Sequence, residues 1–228
     1  MYDVQRSASG EPCGKIDHMR YRPISFERLA AELVDRVLTL PGTPWVRVAV
    51  DGAAGTARLA DAMADPLRVN GRPAIRVSTV DFLRPASLRF EKGKQDPDAR
   101  YEDWLDEGAL RREVLDPLGA GGTGLVLPAL WDAGRDRATR LDRAELPPGG
   151  VLIADGELVL GRGLPFELTV HLALSAGALR RRLPAAEHWA LPAFARYEDE
   201  VHPGEIADVL VRADDPNHPA VAQPRRSA

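Results

Sequence analysis

Behind Ser25, a residue suited to cap a helix, apolar residues recur at helical spacing through Phe26, Leu29, Leu33, Val37 and Leu40 until Pro41-Gly42 interrupts them. This pattern predicts a leading amphipathic helix. The largely apolar run Val46 to Val50, ending in Asp51-Gly52, reads as a buried strand, and Leu59-Ala60-Asp61-Ala62-Met63-Ala64 as the start of a helix. Ala74 to Val80 predicts a second strand, followed by Asp81-Phe82 and a polar, basic stretch through Lys94 with too little apolar content for core. Trp104 to Leu118 reads as a helix carrying Leu105, Leu110, Val114 and Leu118 near one face and stopped by Gly119. Beyond the loop opened by Gly121-Gly122-Thr123-Gly124, Leu125 to Leu127 and Arg137 to Leu141 are expected to pair as a short hairpin. Val151 to Ala154, leading into Asp155-Gly156, is a clear buried strand, and further strands are expected over Glu167 to Leu174 and Ala207 to Val211. Helices are expected over Ala178 to Leu183 and Ala193 to Glu200. Strands alternating with helices argue for a largely parallel sheet with ligands at the carboxyl ends of its strands.

The turn between the first strand and its helix carries the most specific signal. Gly52-Ala53-Ala54-Gly55-Thr56-Ala57-Arg58-Leu59 stands where a phosphate-binding loop of the form G-x-x-x-x-G-K-[ST] would stand. Such a loop cradles phosphates with backbone N–H groups, reaches the terminal phosphates with Lys and holds Mg²⁺ through its hydroxyl. Gly52 fits. Ala57 adds a methyl where glycine permits close approach, Arg58 replaces the Lys with a bulkier planar fork, and Leu59 offers a metal no oxygen. Thr56 could supply a hydroxyl from a shifted register, and an ordinary strand-to-helix turn accounts for the octamer equally well.

Composition narrows the classes. With 228 residues, 44% of them hydrophobic and 28% charged, the chain suits one α/β domain with a full core. That domain is expected over residues 21–219, between mobile tails at 1–20 and 220–228. A net charge of −4 gives no footprint for nucleic acid, and no apolar run approaches the roughly 20 residues of a membrane span. Cys13 is the only cysteine, which excludes an intrachain disulfide and a thiolate metal cluster. A cytoplasmic location is the expectation. His171, mid-strand between Val170 and Leu172, is expected to be a neutral core imidazole, and His188, His202 and His218 lack the paired spacing of a zinc site.

Asp51, Asp81 and Asp155 stand at the ends of three expected strands, and a parallel sheet would gather them beside the loop. Phosphoryl transfer uses such an arrangement, with a loop for phosphates and carboxylates for the metal and the attacking hydroxyl. Taken singly, a strand-end Asp is more often a turn or helix cap.

From about Phe26 to Pro219, the order of segments resembles the uridine kinase family of P-loop nucleoside kinases. The matching pieces are Val48-Ala49-Val50-Asp51-Gly52, Val80-Asp81-Phe82-Leu83-Arg84-Pro85, Tyr101-Glu102-Asp103-Trp104-Leu105-Asp106 with Leu110 to Leu118, and Val151 to Gly156. Arg196-Tyr197 and Ala207 to Pro216 resemble the closing helix and strand. The resemblance implies a P-loop NTPase-like three-layer α/β/α fold with a mostly parallel sheet. It implies a nucleoside or similar small hydroxyl compound as substrate, with Mg²⁺ and ATP or GTP as cofactors.

By that resemblance Asp81 would be the base and Asp155 the metal residue, while Arg58, Arg180 and Arg181 would face the transferring phosphate. Arg182 completes the arginine run, which equally fits a solvated helix end. The octamer Gly52 to Leu59 would bind nucleotide. Phe82, Trp131, Arg137 and Arg140 would join Asp81 in holding the substrate, although Trp131 could equally be core. The departures all concern ATP: the octamer itself, a shortened helix after it, and an abbreviated lid over Arg180 to Trp189 containing Pro184. Two readings follow, a uridine kinase-like phosphotransferase, or a catalytically inactive relative acting as a small-molecule or protein binding module.

Overall fold

A computed structural model describes residues 20–40 and 44–223. The N-terminal residues with Cys13 and His18, the Pro41-Gly42 stop and residues 224–228 lie outside the described residues. The chain runs β1 (Arg20–Pro23), α1 (Phe26–Thr39), β2 (Val46–Asp51), α2 (Thr56–Val69) and β3 (Ala74–Ser78), and then enters a 3₁₀ turn, Thr79–Phe82. Short helices α3 (Ala86–Arg89), α4 (Pro97–Glu102) and α5 (Glu107–Leu110) follow. Four two-residue strands come next: β4 (Leu125–Val126), β5 (Trp131–Asp132), β6 (Arg137–Ala138) and β7 (Ala144–Glu145). The chain closes with β8 (Val151–Gly156), β9 (Leu168–Ala173), α6 (Ala176–Arg182), α7 (Leu191–Val201), α8 (Pro203–Ile206), β10 (Val209–Arg212) and β11 (Ala220–Gln223).

Seven strands form one sheet in the order β1-β11-β10-β9-β2-β8-β3. β10, β9, β2, β8 and β3 are parallel, and β11 pairs antiparallel with both β10 and the edge strand β1. β2 and β8 are each paired on both sides and covered on both faces, which explains their near-continuous burial. Both faces are covered. Val46, Val48 and Val50 point with Val151 and Ile153 into a core closed by α1 and α2. On the opposite face Leu152 joins Val77, Phe82, Leu110, Val114 and Leu115. A third cluster under α7 contains Ala49, Leu158, Leu160, Phe194 and Tyr197.

Local chemistry sets the helix starts. Ser25 Oγ accepts the Arg28 N–H, and α1 buries Leu29, Leu33 and Val37, as the spacing predicts. The segment expected as one helix over Trp104 to Leu118 is instead composite. Asp106 caps α5 by accepting from Ala109 N at 2.9 Å, then the chain widens into a π turn over Arg111–Leu115 and tightens into a 3₁₀ turn over Asp116–Leu118. Pro117, which has no N–H to give, lies in that last turn.

The expected hairpin between Leu125 to Leu127 and Arg137 to Leu141 is also corrected: β4 pairs with β7, and β5 with β6. The basic stretch before Lys94 contributes a buried residue, because the Arg89 guanidinium donates to Arg84 O at 2.7 Å and lies over the Phe90 and Trp104 rings. At the chain ends, Arg20 and Ala220–Gln223 belong to strands rather than to tails. Four-residue strands carry too short a pattern to read from sequence and are fixed by pairing with each other and with β10.

Candidate functional site

Strand β2, a glycine turn and α2 follow one another in the order the sequence predicts. Gly52 donates its N–H to Gly156 O at 3.0 Å and has φ of +152°, and a Cβ there would stand 2.9 Å from both Cβ and O of Leu172. Gly55, at φ of +88°, caps α2. Ala53 and Ala54 are half-buried and Thr56 is buried. Of the side chains at the consensus positions, one is tied elsewhere, one is core and one is a methyl. Arg58 Nη1 donates to Pro216 O at 3.1 Å and to Asn217 Oδ1 at 3.3 Å, with its guanidinium 3.8 Å over the Phe26 ring. Leu59 is fully buried in the core, and Ala57 is exposed.

Asp155, near the end of β8, is buried and doubly held by Arg76 of β3: Nε to Oδ1 at 2.6 Å and Nη2 to Oδ2 at 3.1 Å. Arg76 also reaches Asp61 at 3.1 Å. Both Asp155 oxygens therefore already carry a cation. Asp81 lies in the 3₁₀ turn after β3 and is half-buried. Burial pushes its carboxyl above the usual range; Arg76 opposes the rise, and Asp155 and Asp132 add to it. Phe82, beside it, is fully buried in the second core, so its side chain offers a substrate no surface.

Asp81, Asp155 and the loop thus share one end of the sheet, beside a cavity of about 310 Å³ lined by Thr56, Thr79, Arg100, Asp155, Glu157 and Arg162 among others. The hairpin docks against the Asp81 turn through Leu130 N donating to Asp81 O at 3.0 Å. Its Trp131 Nε1 donates to Asp136 Oδ1 at 3.1 Å. Arg137 and Arg140 line a separate surface cavity with Asp132 and Arg135, sharing no residue with the first.

Asp51 does not join Asp81 and Asp155. Fully buried, it accepts Val159 N on Oδ1 at 2.8 Å, while its Oδ2 meets the Tyr197 hydroxyl at 3.0 Å and His171 Nδ1 at 2.7 Å. Tyr197 OH accepts Leu160 N at 3.0 Å, so the hydroxyl proton is left for Asp51. Burial and the nearby Asp51 carboxylate push that phenol up, which keeps it protonated. Burial by itself would depress the His171 imidazolium, but the carboxylates of Asp51 and Glu198 outweigh it and hold the pKa at about 9. The histidine is buried, as its strand position predicts, but charged rather than neutral at pH 7. Glu198 Oε1 stands 3.5 Å from Nε2, and Nε2 makes no hydrogen bond.

This group forms one wall of a second cavity, about 700 Å³, bounded by Gly52 and Ala53 of the loop, the end of β9, α6 and α7. Arg180 lines it; Arg181 is exposed, and Arg182 Nη2 donates to the Ala213 and Asp214 carbonyls at 2.5 and 3.1 Å. Sequence reasoning missed Asp51, Tyr197 and Glu198 as a group around His171. The available signal was a polar residue in the middle of an apolar strand, in a fold whose neighbouring strand ends in a carboxylate.

The resemblance implies Mg²⁺ and a nucleoside triphosphate, and the residues do not fit that pair as arranged. Arg58 is engaged by Pro216 and Asn217, Leu59 has no oxygen and is buried, and Asp155 is closed by Arg76. Among the described residues no group of three or more His, Cys, Asp or Glu side chains stands ready to hold a metal, and no helix is long and apolar enough to cross a membrane.

No family model and no curated protein matches the chain. Solved structures do. One, described as "a Possible Uridine Kinase from Bacillus stearothermophilus", superposes with a TM-score of 0.63 at 15% identity, covering 79% of this chain and 96% of that one. A "putative fructose transport system kinase from Silicibacter sp. TM1040" superposes with a TM-score of 0.53 at 21% identity, covering 81% and 90%. At such identities the likeness speaks for fold alone. The chain has a three-layer α/β fold built on a mostly parallel seven-stranded sheet, a fold it shares with these neighbours.

Proposed function

We propose that this chain is a binding module on the P-loop kinase fold, taking a small molecule at the carboxyl ends of its strands without transferring phosphate. The observation that carries this reading is the placement of Arg58. The only cation in the loop is spent on Pro216, Asn217 and Phe26, some of the same residues that narrow the cleft beside the loop. Phosphoryl transfer works by positioning charge around the moving group, and here the loop presents backbone and alanine methyls instead. The buried Leu59 and the Arg76–Asp155 pair support the same reading from the metal side. The cavity of about 700 Å³ falls within the range of small-molecule sites.

Thermal unfolding with ATP or GTP, each with and without Mg²⁺, tests it. A ligand at about 100 times its Kd stabilises by roughly 2.7 kcal/mol, so millimolar nucleotide is expected to leave the midpoint unmoved. A shift that needs Mg²⁺ would overturn the reading in favour of a uridine kinase-like phosphotransferase with a rebuilt loop. In that event Asp81→Asn should abolish turnover while the protein still unfolds cooperatively.

A further inference from the structure

We propose that the 700 Å³ cavity binds an uncharged, largely apolar organic molecule with one hydrogen-bond acceptor, a carbonyl in the simplest case, which receives the Nε2–H of His171. This deepens the reading above by naming the ligand class. It rests on the part of that reading in which a small molecule binds at the strand ends.

The donor side of the argument is geometric. The His171 side chain is 4% exposed, and its Nε2 is a buried polar atom without a hydrogen bond. Native structures rarely leave such a group without a hydrogen bond, and its ionic neighbour, Glu198 Oε1, stands 3.5 Å away. The ring cannot turn to relieve the shortage, because Nδ1 is engaged by Asp51 Oδ2 at 2.7 Å and Asp51 is in turn fixed by Tyr197 and Val159. Carboxylate oxygens stand beside both ring nitrogens, Asp51 Oδ2 at 2.7 Å from Nδ1 and Glu198 Oε1 at 3.5 Å from Nε2, so each nitrogen faces an acceptor and Nε2 is placed to donate. Glu198 Oε1, at 3.5 Å, belongs to a side chain that is 53% exposed, so water can replace its weak contact with Nε2 when a better-placed acceptor arrives.

The walls determine the rest of the ligand. Leu158, Leu172, Leu174, Leu179, Leu191 and Phe194 form the apolar lining. The other charged lining residues, Arg180, Glu198 and Asp199, are exposed and of mixed sign, so an ionised group carried inside would lose its hydration without a buried counter-charge. Asp51 already balances His171. A neutral body with one acceptor satisfies every group the cavity presents.

The test compares 2-acetonaphthalene with 2-ethylnaphthalene, which share a ring system and differ in the carbonyl, by calorimetric titration of the full chain. The same titration is followed through the His171 imidazole ¹⁵N resonances. The ketone is expected to bind roughly tenfold more tightly than the hydrocarbon and to move the Nε2 signal. Ala195→Trp, which places a large ring at a cavity-lining position that is exposed in the free protein, should abolish binding while unfolding as cooperatively as the parent. Equal affinities, an unmoved Nε2 resonance, no binding of either compound, or full binding by Ala195→Trp would each overturn the proposal. A Mg²⁺-dependent response to ATP alongside the expected ketone result would remove only the claim that the chain transfers no phosphate.

Discussion

Asp51 and His171 are partners in register on the adjacent parallel strands β2 and β9, and their side chains meet across that pair at 2.7 Å with both buried. A pairing 120 residues apart in sequence thus places an ion pair inside the fold, directly behind the loop that opens with Gly52.

Stability should fall from neutral to mildly alkaline pH. His171 has its folded pKa raised from 6.5 to about 9, so the folded chain holds the proton more tightly than the unfolded one. The contribution is fully present below about pH 6.5 and is lost as pH rises through 9. It amounts to roughly 3 kcal/mol. Urea unfolding at a series of pH values measures it, and His171→Gln should flatten the profile.

Asp51→Asn should destabilise the protein by about 3 kcal/mol, since it leaves a buried cation without its counter-charge. The amide would also present N–H groups toward the Tyr197 hydroxyl or the His171 ring, which now donate to the carboxylate. With the carboxylate gone, burial dominates and the His171 pKa should drop, which imidazole NMR titration would follow. An unchanged pKa would show that Glu198 alone holds the proton.

Arg76→Ala should cost roughly 2–4 kcal/mol because Asp155 is only 2% exposed and would be left charged and unpaired. Arg76→Ala with Asp155→Asn should cost less than the sum of the two single changes. A double-mutant cycle on unfolding free energies reads that coupling directly, and additivity would mean the pair contributes nothing.

Restoring a consensus loop with Ala57→Gly, Arg58→Lys and Leu59→Ser should cost stability before it changes nucleotide affinity. Leu59 is fully buried, and its replacement by Ser combines a cavity with a buried hydroxyl, together worth about 3 kcal/mol or more. Denaturant midpoints of the triple variant and of Leu59→Ser alone should nearly coincide.

Gly156→Ala should be among the most damaging single changes, with a cost of at least ~3 kcal/mol. Its Cβ would lie 1.7 Å from Thr79 Oγ1, so either the end of β8 or the 3₁₀ turn carrying Asp81 must move. Thr79→Gly in the same chain should recover much of the loss by calorimetric midpoint.

The parts legible in sequence are those where a long local pattern coincides with burial. β2, β8 and β9 announce themselves as apolar runs, α1 as a spaced stripe behind Ser25, and the strand-loop-helix order around Gly52 follows from them. The composite helix after Asp106 was not legible, because a π turn and a 3₁₀ turn keep roughly the apolar spacing of an α-helix while changing its hydrogen bonding. At the site, residue types were readable but partners were not. Asp155 looked like a metal residue because Arg76, 79 residues upstream, could not be known to close it. His171 looked neutral because its charge depends on Asp51 being its register partner. The direction of Arg58 is likewise set by Phe26 and by Pro216, one far before it and one far after it.

The pairing of β1 with β11, Arg20 opposite Gln223, ties the first and last described strands into the same edge of the sheet. During synthesis the sheet therefore cannot be completed until residue 223 has left the ribosome, and β10 waits with one side unpaired. Clipping β11 would return β10 to that state, and clipping β1 would uncover β11 instead, in each case with a newly opened strand edge available to another chain. The same closeness makes a circular permutant that joins these two ends, and opens the chain at a surface loop such as the one around Gly121, a compatible rearrangement of the fold.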